Sequence, residues 1–208
     1  MTQGRFITFE GGEGAGKSTQ VARLVEQLRA RALEVVQTRE PGGSPGAEDI
    51  RAIALNGEVG RWSAMTETLL MFAARSDHLE RTIRPALDGG RWVVCDRFAD
   101  SSRAYQGAGG GVSSDFIESL DAAVVDGNQP DLTLIFDLPV EVGLERAFGR
   151  GLFETRFESK GLAFHERLRR RFLEIAAEKA DRCVVIDAVG DVETVEARVW
   201  AAVEARLL

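Results

Sequence analysis

The feature that most constrains this chain lies near its start. An apolar run, Arg5-Phe-Ile-Thr-Phe-Glu10, leads directly into Gly11-Gly-Glu-Gly-Ala-Gly16-Lys17-Ser18-Thr19. A stripe of Val21, Leu24, Val25 and Leu28 follows at helical spacing. The order is strand, glycine loop, helix, and the loop satisfies GxxxxGK[ST]. Glycines permit positive φ and close backbone approach, so consecutive N–H groups can converge on phosphate oxygens at the positive end of the helix. The spacing assigns Gly11, Gly12, Glu13, Gly14, Ala15, Gly16, Lys17, Ser18 and Thr19 to a nucleoside triphosphate, with Lys17 bridging the β- and γ-phosphates. The Ser18 hydroxyl suits Mg²⁺, a hard ion that prefers oxygen and keeps several waters. A phosphate loop alone does not separate a kinase from a GTPase, a motor or a nucleotide-switched regulator.

The loop also selects a fold class, because further runs rich in Val, Ile and Phe recur at 34–38, 92–95, 132–137 and 183–187, with helical patterns between them. Such alternation predicts a parallel sheet of about five strands with helices on both faces, an α/β architecture. With 208 residues one domain suffices. A second stripe, Leu168, Phe172 and Ile175, marks a later helix. Pro85 is expected to end or kink the helical stretch from about 64 to 87 near Arg84, and Gly107-Ala-Gly-Gly-Gly111 reads as a mobile loop. His78 reads as a helix-surface residue, and Cys95 and Cys183, each inside an apolar run, as buried thiols. The net charge of −7 argues against a nucleic-acid partner, so an anionic ligand must be held by local arginines. No run approaches a membrane span and the chain opens directly into a strand, which makes the cytoplasm the expected location.

Ligands of open parallel sheets bind beyond the carboxyl ends of the strands. There stand Thr38-Arg39-Glu40-Pro41-Gly42-Gly43 and Asp96-Arg97-Phe98. A guanidinium fork grips phosphate bidentately, so Arg39 and Arg97 are candidates for a second anion beside the first. Pairing with Glu40 and Asp96 at the surface is the alternative, and Asp96 could equally bind a Mg²⁺ water. Asp137, at the end of the 132–137 strand, ranks below Asp96 for that role.

Phe-Glu-Gly-Gly-Glu-Gly-Ala-Gly-Lys-Ser-Thr, Thr-Arg-Glu-Pro-Gly-Gly, Leu-Met-Phe-Ala-Ala-Arg, Asp-Arg-Phe and Ala-Tyr-Gln-Gly occur in this order, followed by Pro130-Asp-Leu-Thr-Leu-Ile-Phe-Asp137-Leu. Nearly end to end the chain resembles the bacterial thymidylate kinases, P-loop nucleoside monophosphate kinases. The resemblance implies phosphoryl transfer from ATP with Mg²⁺ to dTMP, giving dTDP, in a homodimer. It implies that Glu13 meets the deoxyribose 3′-hydroxyl, that Arg39, Pro41 and Arg97 lie at the acceptor, and that Phe72 stacks on thymine. It likewise implies that Arg75 donates to a thymine carbonyl, that Ser102 touches the base, and that Tyr105, with Gln106 beside it, lies beneath the sugar. A kinase for another nucleoside monophosphate is the nearest alternative, and a nucleotide-switched regulator the next. Against the regulator, the chain has no Asn-Lys-x-Asp guanine signature.

From Glu145 to Arg171 the chain carries Arg146, Arg150, Arg156, Arg167, Arg169, Arg170 and Arg171, with Gly149, Gly151 and Gly161 around the first part. The stretch of about 146–161 resembles a hinged lid, within a single domain spanning 1–208. Some relatives place a catalytic arginine in the phosphate loop, where this chain has Gly14, so the resemblance is to the class that supplies it from the lid. Arg156, with Glu158 close behind, is the first candidate and Arg150 the second; the segment Thr155-Arg-Phe-Glu-Ser departs from the family's Asp-Arg-Ile-Glu and is one residue longer. Arg167 to Arg171 read as a solvated helix face. No general base is required, since a 5′-phosphate with a second pKa of about 6 is largely dianionic at neutral pH. Lys17, Asp96, Arg97, Arg150 and Arg156 are therefore the catalytic candidates, with Ser18 and Asp96 as metal ligands.

Overall fold

A computed structural model describes residues 4–58, 60–149 and 160–208. Five strands, β1 (Phe6–Gly11), β2 (Val35–Arg39), β3 (Trp92–Asp96), β4 (Leu132–Asp137) and β5 (Cys183–Asp187), form one sheet in the order β2-β3-β1-β4-β5. Every pairing is parallel. The helices α1 (Lys17–Ala30), α2 (Pro45–Leu55), α3 (Ala64–His78), α4 (Arg84–Asp88), α5 (Ala99–Ser102), α6 (Ser114–Val124), α7 (Val140–Gly149), α8 (Leu162–Glu178) and α9 (Val192–Leu207) surround it. The chain leaves β1 toward the β2 edge and leaves β4 toward the β5 edge. The glycine loop after β1 thus opens at the switch point, where neighbouring connections part and leave a crevice.

Strand periodicity divides the core between the two faces of the sheet. Ile7 and Phe9 of β1, Trp92 and Val94 of β3, and Leu132, Leu134 and Phe136 of β4 pack against Val21, Leu24, Val25 and Leu28 of α1 and Val195, Val199 and Val203 of α9. The alternate residues point the other way. Phe6, Val93 and Cys95 meet Leu79, Ile83 and Ala86, while Ile135 meets Leu168, Phe172 and Ile175 of α8. Both helical stripes legible in the sequence are buried, and so are Cys95 and Cys183. Each fully buried Leu, Ile or Phe contributes about 1.5–3 kcal/mol, so this two-sided burial is the main term holding the layers together.

Three local expectations are corrected. Pro85 does not end the helical path at Arg84: after His78 the chain passes through a π-helical turn, Leu79–Ile83, and continues into α4 with Pro85 in its first turn. Gly107 and Gly109 lie within a π-helical segment, Arg103–Gly109, rather than in a loop. The same segment carries Tyr105 and Gln106. His78 is wholly buried, not on a helix surface.

Buried charge anchors the π-helical segment. Asp100 accepts from Arg182 Nη1 at 2.7 Å and Nη2 at 3.0 Å and from Arg103 Nη1 at 3.1 Å. Arg103 also pairs with Glu118 at 2.7 Å and Asp121 at 2.8 Å on α6. Removing one member of such a buried set leaves an uncompensated charge, which costs about 3–5 kcal/mol.

Candidate active site

Gly16 caps α1 in the left-handed region at φ 86°, which lets the loop turn its backbone inward as the helix begins. Gly14, at φ 67°, approaches α7 so closely that an added Cβ would stand 1.9 Å from the Gly143 carbonyl oxygen. No side chain fits there, which is the physical counterpart of a phosphate loop without an arginine. Lys17 folds back over the loop and donates to the carbonyls of Gly11 at 3.1 Å and Gly12 at 2.6 Å. Burial, reinforced by the neighbouring Arg97 cation, brings its pKa down to about 8 despite Asp96, Glu13 and Glu10 nearby.

The loop forms one wall of an open cleft with a volume of about 340 Å³. Lys17, Ser18, Asp96, Arg39 and Arg97 all line it. Their convergence follows from sheet order: β3 lies between β1 and β2, and Arg39 is in register with Asp96. The Ser18 hydroxyl donates to Asp96 Oδ2 at 2.5 Å, which joins two oxygen-bearing side chains at the foot of the loop. Asp137 points elsewhere and is gripped by Arg169 at 2.7 Å. Arg169 thus leaves the solvated face expected for 167–171, while Arg167 and Arg170 are exposed.

Glu13 closes a second set of contacts. Both its oxygens accept from the Tyr105 hydroxyl, at 2.7 and 2.6 Å, and Arg97 Nη2 lies 3.4 Å from Oε1. Burial alone would raise the Glu13 pKa, but Arg97, Lys17 and the Tyr105 hydroxyl outweigh it and hold the carboxyl below its ordinary value. Arg97 also donates to the Gly11 carbonyl at 3.0 Å and to Ser101 Oγ at 3.2 Å, and its guanidinium lies 4.9 Å from the Tyr105 ring centre. Burial opposes that cation, yet Tyr105, Glu13, Asp96 and Glu10 more than compensate and raise its pKa.

Deeper in the cleft, Arg75 donates to Glu40 Oε2 at 2.8 Å, to Ser102 Oγ at 3.1 Å and to the Phe98 carbonyl at 3.0 Å. Gln106 donates to Glu67 at 2.8 Å. Arg75, Ser102, Tyr105, Gln106 and Pro41 line the cleft together. Phe72 does not: it is 2% exposed and its ring lies under the Arg75 guanidinium at 4.7 Å, while the preceding Met71 lines the cleft. Arg150 and Arg156, the lid candidates, fall outside the described residues.

Four participants went unrecognised in the sequence. Arg51 of α2 lines the cleft and donates to the Pro41 carbonyl at 2.7 Å, and burial with the adjacent Arg39 charge lowers its pKa. The isolated arginine within Ile50-Arg-Ala-Ile-Ala-Leu55 was the available signal. Glu40 and His78 form a buried pair at 3.1 Å, and His78 Nε2 lies 2.7 Å from Thr38 Oγ1. Met71 is the fourth, and only helix phase distinguishes it from Phe72.

The assembled cleft brings the glycine loop and Lys17 together with Arg39 and Arg97. A family model described as thymidylate kinase matches residues 9–199. Thymidylate kinase of Caulobacter vibrioides is 60% identical over 207 residues, covering 100% of this chain and 99% of the relative. That of Nitrobacter hamburgensis is 53% identical over 211 residues, covering 100% and 91%. The crystal structure of thymidylate kinase from Ehrlichia chaffeensis superposes with a TM-score of 0.79 at 33% identity, over 97% of this chain and 99% of that one. Matched by that family model over residues 9–199 and by relatives of 53–60% identity along its whole length, this chain belongs to the thymidylate kinase family.

Proposed function

We propose that the chain transfers the γ-phosphoryl group of ATP to dTMP, giving ADP and dTDP. The observation that carries this reading is the presence of Lys17, Arg39 and Arg97 in one cleft with Glu13 on its wall. Loop amides and Lys17 hold the donor phosphates, and Arg97, Arg39 and Arg51 hold the acceptor phosphate in line with them. Glu13, oriented by Tyr105, receives the deoxyribose hydroxyl. Arg75 and Ser102 present donors to the base, and Met71 supplies apolar surface beside it. The acceptor dianion attacks unaided, so the protein's work is alignment and charge neutralisation. Mg²⁺ fits the Ser18 and Asp96 oxygens, where it would neutralise phosphate charge when bound. Arg156, with Arg150 second, is the candidate for the arginine that a lid over 146–161 brings to the moving group.

The chain is further read as a cytoplasmic homodimer. Met65 and Leu69, 46% and 47% exposed on α3, offer an apolar face for a second copy, to be checked by light scattering. Among the described residues no helix is long and apolar enough to cross a membrane.

A coupled ATP assay over dTMP, dUMP, UMP, CMP, GMP and AMP tests the reaction and its specificity together, with dTMP expected to be turned over best. Arg97→Ala is expected to lower dTMP turnover at least about a hundredfold while ATP still binds, because the acceptor loses its charge-assisted donors. Unchanged turnover in that variant refutes the assignment.

A further inference from the structure

Glu10 is a carboxylate that the transfer itself does not use, and it is 0% exposed, opposite Ile135 near the end of β1. Burial, aided by the nearby Asp100 carboxylate, pushes its pKa up to about 7. A buried acid of this kind persists only where its hydrogen bonds are satisfied. Oε1 accepts from the Phe98 amide at 2.8 Å and the Ser101 amide at 3.2 Å, and Oε2 accepts from the Ser101 hydroxyl at 2.6 Å.

These donors lie in the turn directly after Arg97. Its backbone sits at φ 71°, a region unfavourable for a residue with a Cβ, so neighbouring contacts must hold it there. Its amide is tied to the Phe9 carbonyl at 2.9 Å, and its guanidinium donates to the same Ser101 hydroxyl at 3.2 Å. With Glu10 ionised, the Ser101 hydrogen points to the carboxylate and the oxygen's lone pairs stay free for Arg97.

We propose that Glu10 is a positioning residue for the acceptor: through the Phe98 and Ser101 amides it locks the turn after Arg97, and through the Ser101 hydroxyl it aims the guanidinium at the dTMP phosphate. The proposal rests on the reading of the chain as a dTMP kinase. Glu10→Gln keeps the shape and still accepts from both amides. Its new amide donates to Ser101 Oγ, which reverses that bond and frees a hydroxyl hydrogen to compete with Arg97.

The test is steady-state kinetics of the wild-type chain, Glu10→Gln, Ser101→Ala and the double variant, with dTMP and ATP varied in turn, alongside thermal melts. The expected loss in kcat/KM for dTMP is roughly ten- to a hundredfold in each single variant, while KM for ATP stays within about twofold. Glu10→Gln should melt no lower than wild type, since a neutral amide is easier to bury. The double variant should lose about as much as the worse single one, because the two residues act as a unit. Wild-type kcat/KM for dTMP in Glu10→Gln, or a loss shared equally by both substrates, overturns the proposal. If Glu10→Gln does not fold, Ser101→Ala decides: unaltered dTMP kinetics there overturn it equally. A wild-type chain inert toward dTMP overturns the kinase reading and this proposal with it, whereas an active wild type with unaffected variants sinks only the role of Glu10.

Discussion

Lys17 is held at a cost to the free protein, and that cost is measurable. It is 7% exposed, and its pKa of about 8 lies below the ordinary 10.5 because burial, then Arg97, disfavour the cation. The difference corresponds to about 3 kcal/mol. For a lysine whose folded pKa is lowered, the unfolded chain binds the proton more tightly. The penalty is absent above about pH 10.5, grows as pH falls, and is complete below about pH 8. Lys17→Met should therefore stabilise the nucleotide-free protein at pH 7 by up to about 3 kcal/mol in urea unfolding, while phosphoryl transfer is lost. Donor phosphates beside the amine reverse the shift. ATP binding should then take up roughly half a proton at pH 8 and about a tenth at pH 7, read by calorimetry in buffers of different ionisation enthalpy. Lys17→Met should lack that uptake. Heat at pH 8 that is independent of buffer, or a Met variant less stable than wild type, refutes the reasoning.

Gly14→Ala would drive a Cβ to within 1.9 Å of the Gly143 carbonyl, backbone against backbone, at a φ of 67°. A loss of about 2 kcal/mol or more in thermal unfolding is expected, with weaker ATP binding, and an unaltered melt would show that the loop and α7 are not in contact. Arg75→Ala leaves Glu40, whose side chain is 4% exposed, without its guanidinium partner, and should cost about 3–5 kcal/mol of stability as well as dTMP binding. A loss below about 1 kcal/mol would mean that the Arg75–Glu40 pair contributes little to the fold. Tyr105→Phe removes the hydroxyl that both Glu13 oxygens share, so KM for dTMP should rise about tenfold with KM for ATP unchanged. Parallel changes in the two constants would place Tyr105 outside the acceptor site.

Much of the fold and part of the site were legible because their signals are local. The glycine loop between strand and helix needs only 5–30, and the Val21 and Leu168 stripes reveal which helix faces are buried. Arg39 and Arg97 could be placed at strand ends because ligands of such sheets gather there. Other features were hidden by the limits of pattern reading. His78 looked exposed because its partners, Glu40 and Thr38, lie 38 and 40 residues away. Gly107 to Gly109 looked like a loop because glycine composition does not reveal a π-helical turn packed on α8. Phe72 and Met71 differ by one residue, about 100° around a helix axis, and only packing decides which of them faces the cleft.

By itself the sequence determined the phosphate-binding loop, the alternating architecture and the order of family motifs, since each depends on covalent spacing within a few residues or a few turns. The tertiary structure alone decided that β3 lies between β1 and β2, that Glu13 meets Tyr105 from 92 residues away, and that Glu10 reaches Ser101 across 91. Those contacts join groups remote in the chain, so no periodicity records them. They exist only once burial of both sheet faces has brought the strand tips side by side.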